Sequence, residues 1–258
     1  MNNTATNTTS PANNSLLTNI FGRVWAMWGL VSFVATFLIF FIPSMCSYLI
    51  PGLKGQAFFI GVSRYWMNIW LRLVGCPVSI IGKDQFKEGE NYVVVFNHNA
   101  LLDVPLSAPY VPGANKTIAK ASFAKVPLFG LFYSRGSVLV NRKSEASRRK
   151  SYEEMIKVLK QGMHMCLYPE GTRNRSNQPL KPFYDGAFKL AVEAKKDIIP
   201  CVLCGTRRAM PIDKKFFLYP VKLKMIFLPP VSSKNIQAKA LKDEIFKKME
   251  ETYIKNTQ

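Results

Sequence analysis

The stretch YVVVFNHNALLD, residues 92–103, decides the fold of this chain. Its first five residues form a continuous apolar run, which is typical of a strand buried on both faces of a sheet covered by helices. The run leads into Asn97 and His98, and Asp103 follows five positions after the histidine. Functional side chains of such sheets gather in the loops beyond the strand ends. The stretch therefore predicts a buried strand followed by a functional loop.

His98, one of only two histidines in the chain, is the candidate base of this loop. A histidine can remove a proton near neutral pH, and a carboxylate can hold its ring in one tautomer and stabilise the imidazolium. On one continuous helix, residues five apart face different directions. His98 and Asp103 can meet only if the histidine lies in the turn after the strand and the aspartate begins the next element. The spacing alone also arises by chance.

Downstream of Cys76, strand-like segments alternate with helix-like segments. Strands are predicted over Val78–Ile81, Tyr92–Phe96, Ser137–Asn141, Met163–Tyr168, Ile198–Leu203 and Val221–Leu228. Helices are predicted over Ser144–Gln161, from Gly186 to about Lys195, and from about Asn235 to Ile254. The predicted fold class is α/β, with a mixed, mostly parallel sheet surrounded by helices.

The chain ahead of this body is apolar and has no acidic residue before Asp84. Residues 1–22, rich in Asn and Thr, are predicted to form a flexible tail, and residues 23–75 to form membrane-associating helices. Val24–Ile42 is long enough to cross the ~30 Å hydrocarbon layer, and Gln56–Gly75 mixes aromatic and basic residues as at a membrane interface. A spanning helix and a hairpin dipping into one leaflet both fit, and a core helix of a soluble protein is the alternative. If the helix spans, the following basic residues place the body in the cytoplasm.

The charge is strongly basic, with 35 Lys and Arg against 16 Asp and Glu, a formal net charge of +19. Such a surplus indicates an anionic partner: a membrane surface, a phosphorylated substrate or a nucleic acid. The basic residues form no compact tail or arginine-rich arm, which disfavours nucleic acid. The five cysteines are an odd number, and Cys201 and Cys204 have no second pair or histidine to complete a zinc site. We expect buried thiols, no bound metal, and a structural role for His164.

Two arginines also follow predicted strands. Arg142 ends the segment that begins at Gly136, and Arg173 ends the segment Tyr168-Pro169-Glu170-Gly171-Thr172-Arg173. Guanidinium groups on rigid strand ends would suit a phosphate, because they bind its oxygens in pairs. Considered singly, each arginine has a simpler interpretation: Arg142 as a surface residue, and Arg173 as a turn residue paired with Glu170.

Four segments together resemble the four blocks of the glycerolipid acyltransferase family, in its 1-acyl-glycerol-3-phosphate (lysophosphatidic acid) acyltransferase branch. The blocks are Asn97-His98-x4-Asp103, Gly136 to Arg142, Tyr168 to Arg173, and Ile199-Pro200 with the apolar residues after it. The likeness spans about residues 78–230, and Ala119-Lys120 resembles a stretch that the family carries between its first two blocks. Residues 76–258 would then form an acyltransferase domain behind the membrane-associating segment.

The resemblance implies transfer of an acyl group from acyl-CoA or acyl-carrier protein to the sn-2 hydroxyl of lysophosphatidic acid at a phospholipid membrane. It implies catalysis by His98 and Asp103, without a cofactor beyond the acyl donor as co-substrate. It also implies substrate binding by Lys120, Arg142, Glu170, Gly171, Thr172 and Arg173, with Glu170 positioning Arg173 or the glycerol.

Departures from the family pattern keep alternatives open. The family favours Phe where Tyr168 stands and Lys where Tyr184 stands, and this chain adds Asp185. Another lyso-lipid, such as a lysophospholipid or an amino-acid lipid, is therefore an alternative acceptor. A non-catalytic membrane protein that binds anionic lipid or nucleic acid through its basic surface is the alternative from a different class.

Overall fold

The protein, seen in a computed structural model that describes residues 16–257, is built around one seven-stranded sheet. The strands are β1 (Val78–Ile81), β2 (Val93–Phe96), β3 (Asn115–Lys120), β4 (Ser137–Val140), β5 (His164–Leu167), β6 (Ile198–Cys204) and β7 (Leu223–Phe227). The helices are α1 (Leu16–Met45), α2 (Gly52–Leu73), α3 (Asp103–Leu106), α4 (Phe129–Gly136), α5 (Glu145–Lys160), α6 (Gly186–Ala194), α7 (Thr206–Ala209) and α8 (Ala238–Thr257).

The sheet has the order β1-β7-β6-β2-β5-β3-β4. Five of its strands run in one direction, while β1 and β7 run in the other, since β7 pairs antiparallel with β6 and parallel with β1. The predicted mixed, mostly parallel sheet is confirmed. The strand β2 lies at its centre, with Val94 opposite Cys166 of β5 and opposite Ile199 of β6. All four residues of β2 are buried, as the continuous apolar run predicts.

Both faces of the sheet are covered by helices. Because side chains alternate along a strand, Val93 and Val95 of β2 face one layer and Val94 and Phe96 face the other. The first layer contains α5, α6 and α8, whose buried residues include Leu159, Phe188 and Ile245. The second contains α1 and α2, whose buried residues include Trp66, Trp70 and Leu71.

The N-terminal hairpin of α1 and α2 is thus a layer of the body and not an appendage, although the sequence predicts a separate membrane-associating segment. Hydrogen bonds from indole groups join the two helices. Trp70 Nε1 donates to the Gly29 carbonyl at 3.1 Å, and Trp25 Nε1 donates to the Val74 carbonyl at 2.9 Å. The outer face of α1 remains exposed and apolar. By length and composition, α1 could cross a membrane.

Several elements differ from the sequence prediction. The predicted tail reaches Gly22, whereas α1 already begins at Leu16, since Leu16, Leu17 and Ile20 extend its apolar pattern. Residues 1–15 lie outside the described residues. The strand β3 was not predicted, because Asn115–Lys120 is half polar, and neither was α4.

Candidate active site

His98 and Asp103 meet in the turn between β2 and α3. His98 Nδ1 lies 2.9 Å from Asp103 Oδ2, and the aspartate is the first residue of α3. Since the carboxylate accepts the Nδ1 proton, the neutral imidazole presents the lone pair of Nε2. The side chain of His98 is 17% exposed and that of Asp103 is fully buried, so the histidine alone can reach a substrate.

The Asp103 carboxylate is also held by the backbone of the turn. Its Oδ2 accepts N–H bonds from Asn99 at 2.5 Å and from Ala100 at 2.7 Å. Backbone donors at this position fix the carboxylate in the plane that the imidazole needs. Its Oδ1 has no hydrogen-bond partner among the described residues. The turn therefore positions the aspartate before any substrate binds.

Glu170 joins the loop after β5 to the loop after β2. Its Oε1 accepts the N–H of His98 at 2.7 Å, and its Oε2 accepts the N–H of Lys181 at 3.1 Å. Burial raises the pKa of this carboxyl to about 7, although the two N–H donors oppose the shift. The family resemblance assigns Glu170 to substrate binding; in the structure its two oxygens accept backbone N–H groups, one of them from His98.

Tyr168, which stands where the family favours Phe, packs against the histidine. The centre of its ring lies 4.5 Å from that of His98. Its hydroxyl donates to the Asp103 carbonyl at 3.0 Å and shares a 2.6 Å hydrogen bond with Ser107 Oγ. Tyr168 thus holds both His98 and the helix α3 that begins at Asp103.

Asn97 fixes the other side of the same turn. Its side chain donates to the Leu203 carbonyl at 3.0 Å and accepts the Leu203 N–H at 2.7 Å. The loop after β2 is therefore tied to both neighbouring strands, to β6 through Asn97 and to β5 through Glu170. These ties depend on strand adjacency, which no local sequence pattern shows.

A cleft of about 680 Å³ opens beside this turn. Its walls come from α1, from the loop that contains Asn99 and Leu101, and from residues 210–218. Four basic residues line it: Arg173, Arg175, Lys214 and Lys215. An apolar cavity of about 140 Å³ lies on the other side of Pro105, between α2 and α4.

The predicted substrate-binding residues occupy different parts of this region. Arg173 lines the cleft, whereas the guanidinium of Arg142 donates to the carbonyl of Gly171. Gly171 has a φ of +71° in the turn after β5, and a Cβ there would lie 2.8 Å from the Tyr184 ring. Thr172 Oγ1 accepts a hydrogen bond from Lys181 Nζ at 2.9 Å. Lys120 is exposed at the end of β3, two strands away from β2.

Several residues of the region were not predicted from the sequence. Lys214 and Lys215 lie in an irregular segment after Pro211, which follows the fourth block and belongs to none of the four. Arg175 follows the third block by two positions and had no separate signal. The adjacent pair of lysines was the one available hint, and in a chain of net charge +19 it did not stand out.

The second histidine and the cysteines lie apart from this chemistry. His164 is buried, its Nδ1 accepts the N–H of Tyr92 at 3.0 Å, and burial lowers its pKa to about 4. It is therefore a neutral packing residue. Cys201 and Cys204 are buried within β6. Asp185 is exposed and pairs with Lys242 Nζ at 2.7 Å.

The arrangement is suited to deprotonating a bound hydroxyl. The imidazole of His98 is partly exposed, the carboxylate of Asp103 is buried beside it, and the residues that follow His98 line a cleft that also contains basic groups. The same pair of groups serves as general base in enzymes that activate a hydroxyl for attack on an acyl carbon.

Known proteins share the sequence and the fold. A family model described as acyltransferase matches residues 77–204. A 1-acyl-sn-glycerol-3-phosphate acyltransferase of Limnanthes douglasii is 27% identical over 73% of this chain and 65% of its own length. The alpha form of that enzyme from Mus musculus is 31% identical over 64% of this chain and 58% of its own length. The match spans less than two thirds of either relative.

A solved structure has the same fold. It is the crystal structure of the 1-acyl-sn-glycerophosphate (LPA) acyltransferase PlsC from Thermotoga maritima. The TM-score is 0.76 with 19% sequence identity, and the alignment covers 93% of this chain and 96% of that one. The resemblance inferred from the four sequence blocks is confirmed, since residues 77–204 of this chain match the acyltransferase family model.

Proposed function

We propose that this protein transfers a fatty acyl group from a thioester to the sn-2 hydroxyl of 1-acyl-glycerol-3-phosphate, which yields phosphatidic acid. The observation that carries this proposal is the 2.9 Å contact between His98 Nδ1 and the buried Asp103 carboxylate at the edge of a basic cleft. The relatives whose names state this activity support the choice of acceptor.

In the proposed reaction, His98 Nε2 takes the proton of the sn-2 hydroxyl while the hydroxyl oxygen attacks the thioester carbonyl carbon. Asp103 stabilises the imidazolium that forms. The tetrahedral oxyanion then collapses, the carbon–sulfur bond breaks, and the imidazolium returns its proton to the leaving thiolate. No acyl-enzyme is required, since the acceptor hydroxyl is the nucleophile. General acid–base help of this kind is worth about 10²–10⁴ in rate.

The acceptor phosphate is assigned to Arg173, because this is the predicted arginine that lines the cleft. Arg142 supports the turn from outside through the Gly171 carbonyl, and it stabilises the loop on which Arg173 stands. Lys120 has a supporting electrostatic role at most, since it lies at the end of β3, which is two strands away from β2 in the sheet. The apolar cavity beside Pro105 suits part of an acyl chain.

Attachment to one leaflet of a membrane is the second part of the proposal. The helix α1 is about 45 Å long and touches the body along its length. The Leu218 N–H donates to the Gly22 carbonyl at 3.0 Å, the indole of Trp70 reaches Gly29, and Phe37 packs on Phe129 and Phe132. This packing along the body supports an orientation in which α1 lies in one leaflet.

The opposite side of α1 is apolar and faces outward. Its exposed side chains include Leu17, Val24, Val31, Leu38 and Ile42. Lying in the interface, this surface would embed in the acyl region while the basic body meets anionic headgroups. The body is placed on the cytoplasmic side, where anionic lipids are concentrated.

Purified protein with lysophosphatidic acid and a radiolabelled acyl thioester tests the reaction. We expect labelled phosphatidic acid from wild-type protein and none above background from His98→Ala. The variant should still bind vesicles, because His98 is not part of the outer face of α1. Labelled product from other lyso-lipids in place of lysophosphatidic acid would contradict the proposed acceptor, and lipid binding without transfer would favour the non-catalytic alternative.

A further inference from the structure

A groove separate from the active site lies at the opposite end of the sheet. Two adjoining cavities of about 540 Å³ and about 470 Å³ form it, and Lys116 and Gln161 line both. Lys116 stands near the start of β3, whereas His98 follows the end of β2, and both strands run parallel to β5. This far groove, bounded by β3, β4, α5 and the start of α2, therefore opens away from His98.

Basic side chains dominate the far groove. Lys116, Lys150 and Lys157 line its larger cavity, and Arg135 joins Lys116 in the smaller one. Glu154, the one acid among the described lining residues, pairs with Lys157 at 2.7 Å.

Lys116 is a cation without a counter-charge of its own. It is half-buried, and its ammonium has no hydrogen bond or ion pair among the described residues. Burial lowers the pKa of Lys116, the charge of Arg135 lowers it further, and Glu154 opposes these effects. The fold thus keeps two like charges close together, and a bound anion would stabilise both.

The tip of the N-terminal hairpin, residues 46–50, holds Arg135 in place. Arg135 Nε donates to Ser47 Oγ at 3.1 Å, and its Nη2 donates to the Ser47 carbonyl at 2.9 Å. The guanidinium carbon also lies 4.9 Å from the centre of the Tyr48 ring. Two of the five guanidinium N–H groups are therefore used, and three remain for a ligand. A guanidinium fixed in this way is ready to bind the oxygens of a phosphate.

The start of α2 adds backbone donors to the same place. Gly52 and Leu53 line the groove, no side chain caps the first turn of the helix, and that turn contains no acidic residue. The turn lies against the arginine, since a Cβ at Gly55 would be 2.9 Å from Arg135 Nη2. Its free N–H groups and the positive end of the helix dipole strengthen the attraction of the two cations for an anion.

Exposed apolar side chains stand beside these cations. Leu49 at the hairpin tip is 84% exposed, and Leu53, which lines the groove, is 44% exposed. The tip directly follows α1, whose outer face is also apolar. A phospholipid presents this combination in one molecule, a charged phosphate joined to acyl chains, whereas free phosphate would use the cations alone.

We propose that the far groove binds the phosphate group of an anionic phospholipid that is not a substrate, through Lys116, Arg135 and the start of α2, with its acyl chains on Leu49 and Leu53. The helix α1 reaches from the cleft beside the active site, where it forms one wall, to the hairpin tip at this groove. A lipid bound here holds the second end of α1 at the level of the headgroups, so that the helix lies flat in one leaflet. The inference does not depend on the proposed acyl transfer.

Thermal unfolding of the full chain in neutral detergent, without substrate, tests the site. Short-chain phosphatidylglycerol is compared with short-chain phosphatidylcholine and with inorganic phosphate, at equal concentration and ionic strength. At about ten times its Kd, phosphatidylglycerol should raise the Tm of wild-type protein by about 3–6 °C, and phosphatidylcholine by less than about 1 °C. Lys116→Gln should lose at least half of that rise. Without ligand, its Tm should equal or exceed that of wild-type protein, because one of two like charges has been removed.

Two control variants locate the bound lipid. Lys247→Gln removes an exposed lysine of α8 outside the groove, and Arg173→Gln removes the arginine of the active-site cleft. Both should keep the full rise in Tm. A rise that is lost in Arg173→Gln but kept in Lys116→Gln would place the lipid in the active site and overturn the inference.

The remaining outcomes separate the ligand sources and the two proposals. An equal rise with inorganic phosphate, also dependent on Lys116, would show a site for free phosphate and overturn the lipid assignment. A lower Tm of Lys116→Gln without ligand would show that Lys116 stabilises the fold itself, which contradicts the inference. In detergent micelles, kcat of Lys116→Gln for acyl transfer should stay within about twofold of wild-type. Because the unfolding test contains no substrate, its result stands whether or not phosphatidic acid is made.

Discussion

In the proposed reaction, Asp103 enables His98 to act as a base, because its carboxylate fixes the imidazole ring and stabilises the charge that forms on it. Replacing it by Asn keeps the size of the side chain but removes the negative charge, and the amide favours the wrong tautomer of His98. We expect Asp103→Asn to lower kcat by about 10²–10⁴-fold with little change in KM for either substrate. Steady-state kinetics measure this, with exposed Asp243→Asn as the control. A fall confined to KM would contradict the assigned role.

This pair could be predicted from the sequence because both residues lie in one turn of chain. The function of Glu170 could not be predicted in the same way. Its partners, the N–H groups of His98 and Lys181, become neighbours only when β5 pairs with β2. A motif shows that a glutamate is present, but the contacts of that glutamate depend on strand order.

The protonation of Glu170 links stability to pH. Its pKa is about 7 in the folded protein, against 4.5 for an ordinary glutamate. The folded state therefore binds this proton more tightly than the unfolded state does. The resulting contribution to the free energy of unfolding is fully present below about pH 4.5 and is lost as pH rises through about 7. The loss amounts to about 3 kcal/mol. Denaturant unfolding across this pH range measures the effect. We expect the free energy of unfolding to decline in wild-type protein and to decline less steeply in Glu170→Gln. If the free energy of unfolding had the same pH dependence in both proteins, the raised pKa of Glu170 would be contradicted.

Among the secondary-structure elements, α1 depends on small residues at its contact with the body. A Cβ at Gly22 would lie 2.0 Å from the ring of Phe217, whereas a Cβ at Gly61 of α2 would meet nothing within 4 Å. Alanine improves helix propensity by about 1 kcal/mol at either position, but overpacking costs about 1–3 kcal/mol. We expect Gly22→Ala to lower Tm and Gly61→Ala to raise it. Thermal unfolding in detergent measures both changes in Tm. A higher Tm for both variants would show that α1 does not pack on Phe217.

The elements that the sequence predicts are those with strong apolar patterns, such as β2 and α5. The strand β3 was missed because it contains Asn115, Lys116 and Lys120 and owes its place to pairing with β4 and β5. The integration of α1 and α2 was missed for a related reason. An apolar surface pattern does not show whether lipid or protein covers it, and here protein covers one side of α1 while the other side is exposed.

At the scale of the whole molecule, the topology of membrane attachment can be tested by cysteine labelling. Cys46 is exposed at the end of α1, and the other four cysteines are buried. Leu16→Cys would add a second exposed thiol at the opposite end of the helix. If α1 lies along one leaflet, a membrane-impermeant maleimide should label both positions from the same side of sealed vesicles. Protection of one thiol until detergent is added would show a spanning helix.

The contact between α1 and residues 210–218 has a consequence for biosynthesis. Asn19 and Lys214 are 195 residues apart. At about 5–20 residues per second, the ribosome completes the partner segment about 10–40 s after the helix has been made. During that interval the outer face of α1 and its contact surface for residues 210–218 are uncovered, so the nascent hairpin depends on a bilayer or a chaperone to prevent aggregation. The strand β1 likewise has no partner strand until β7 has been made, so the sheet is completed only after residue 227.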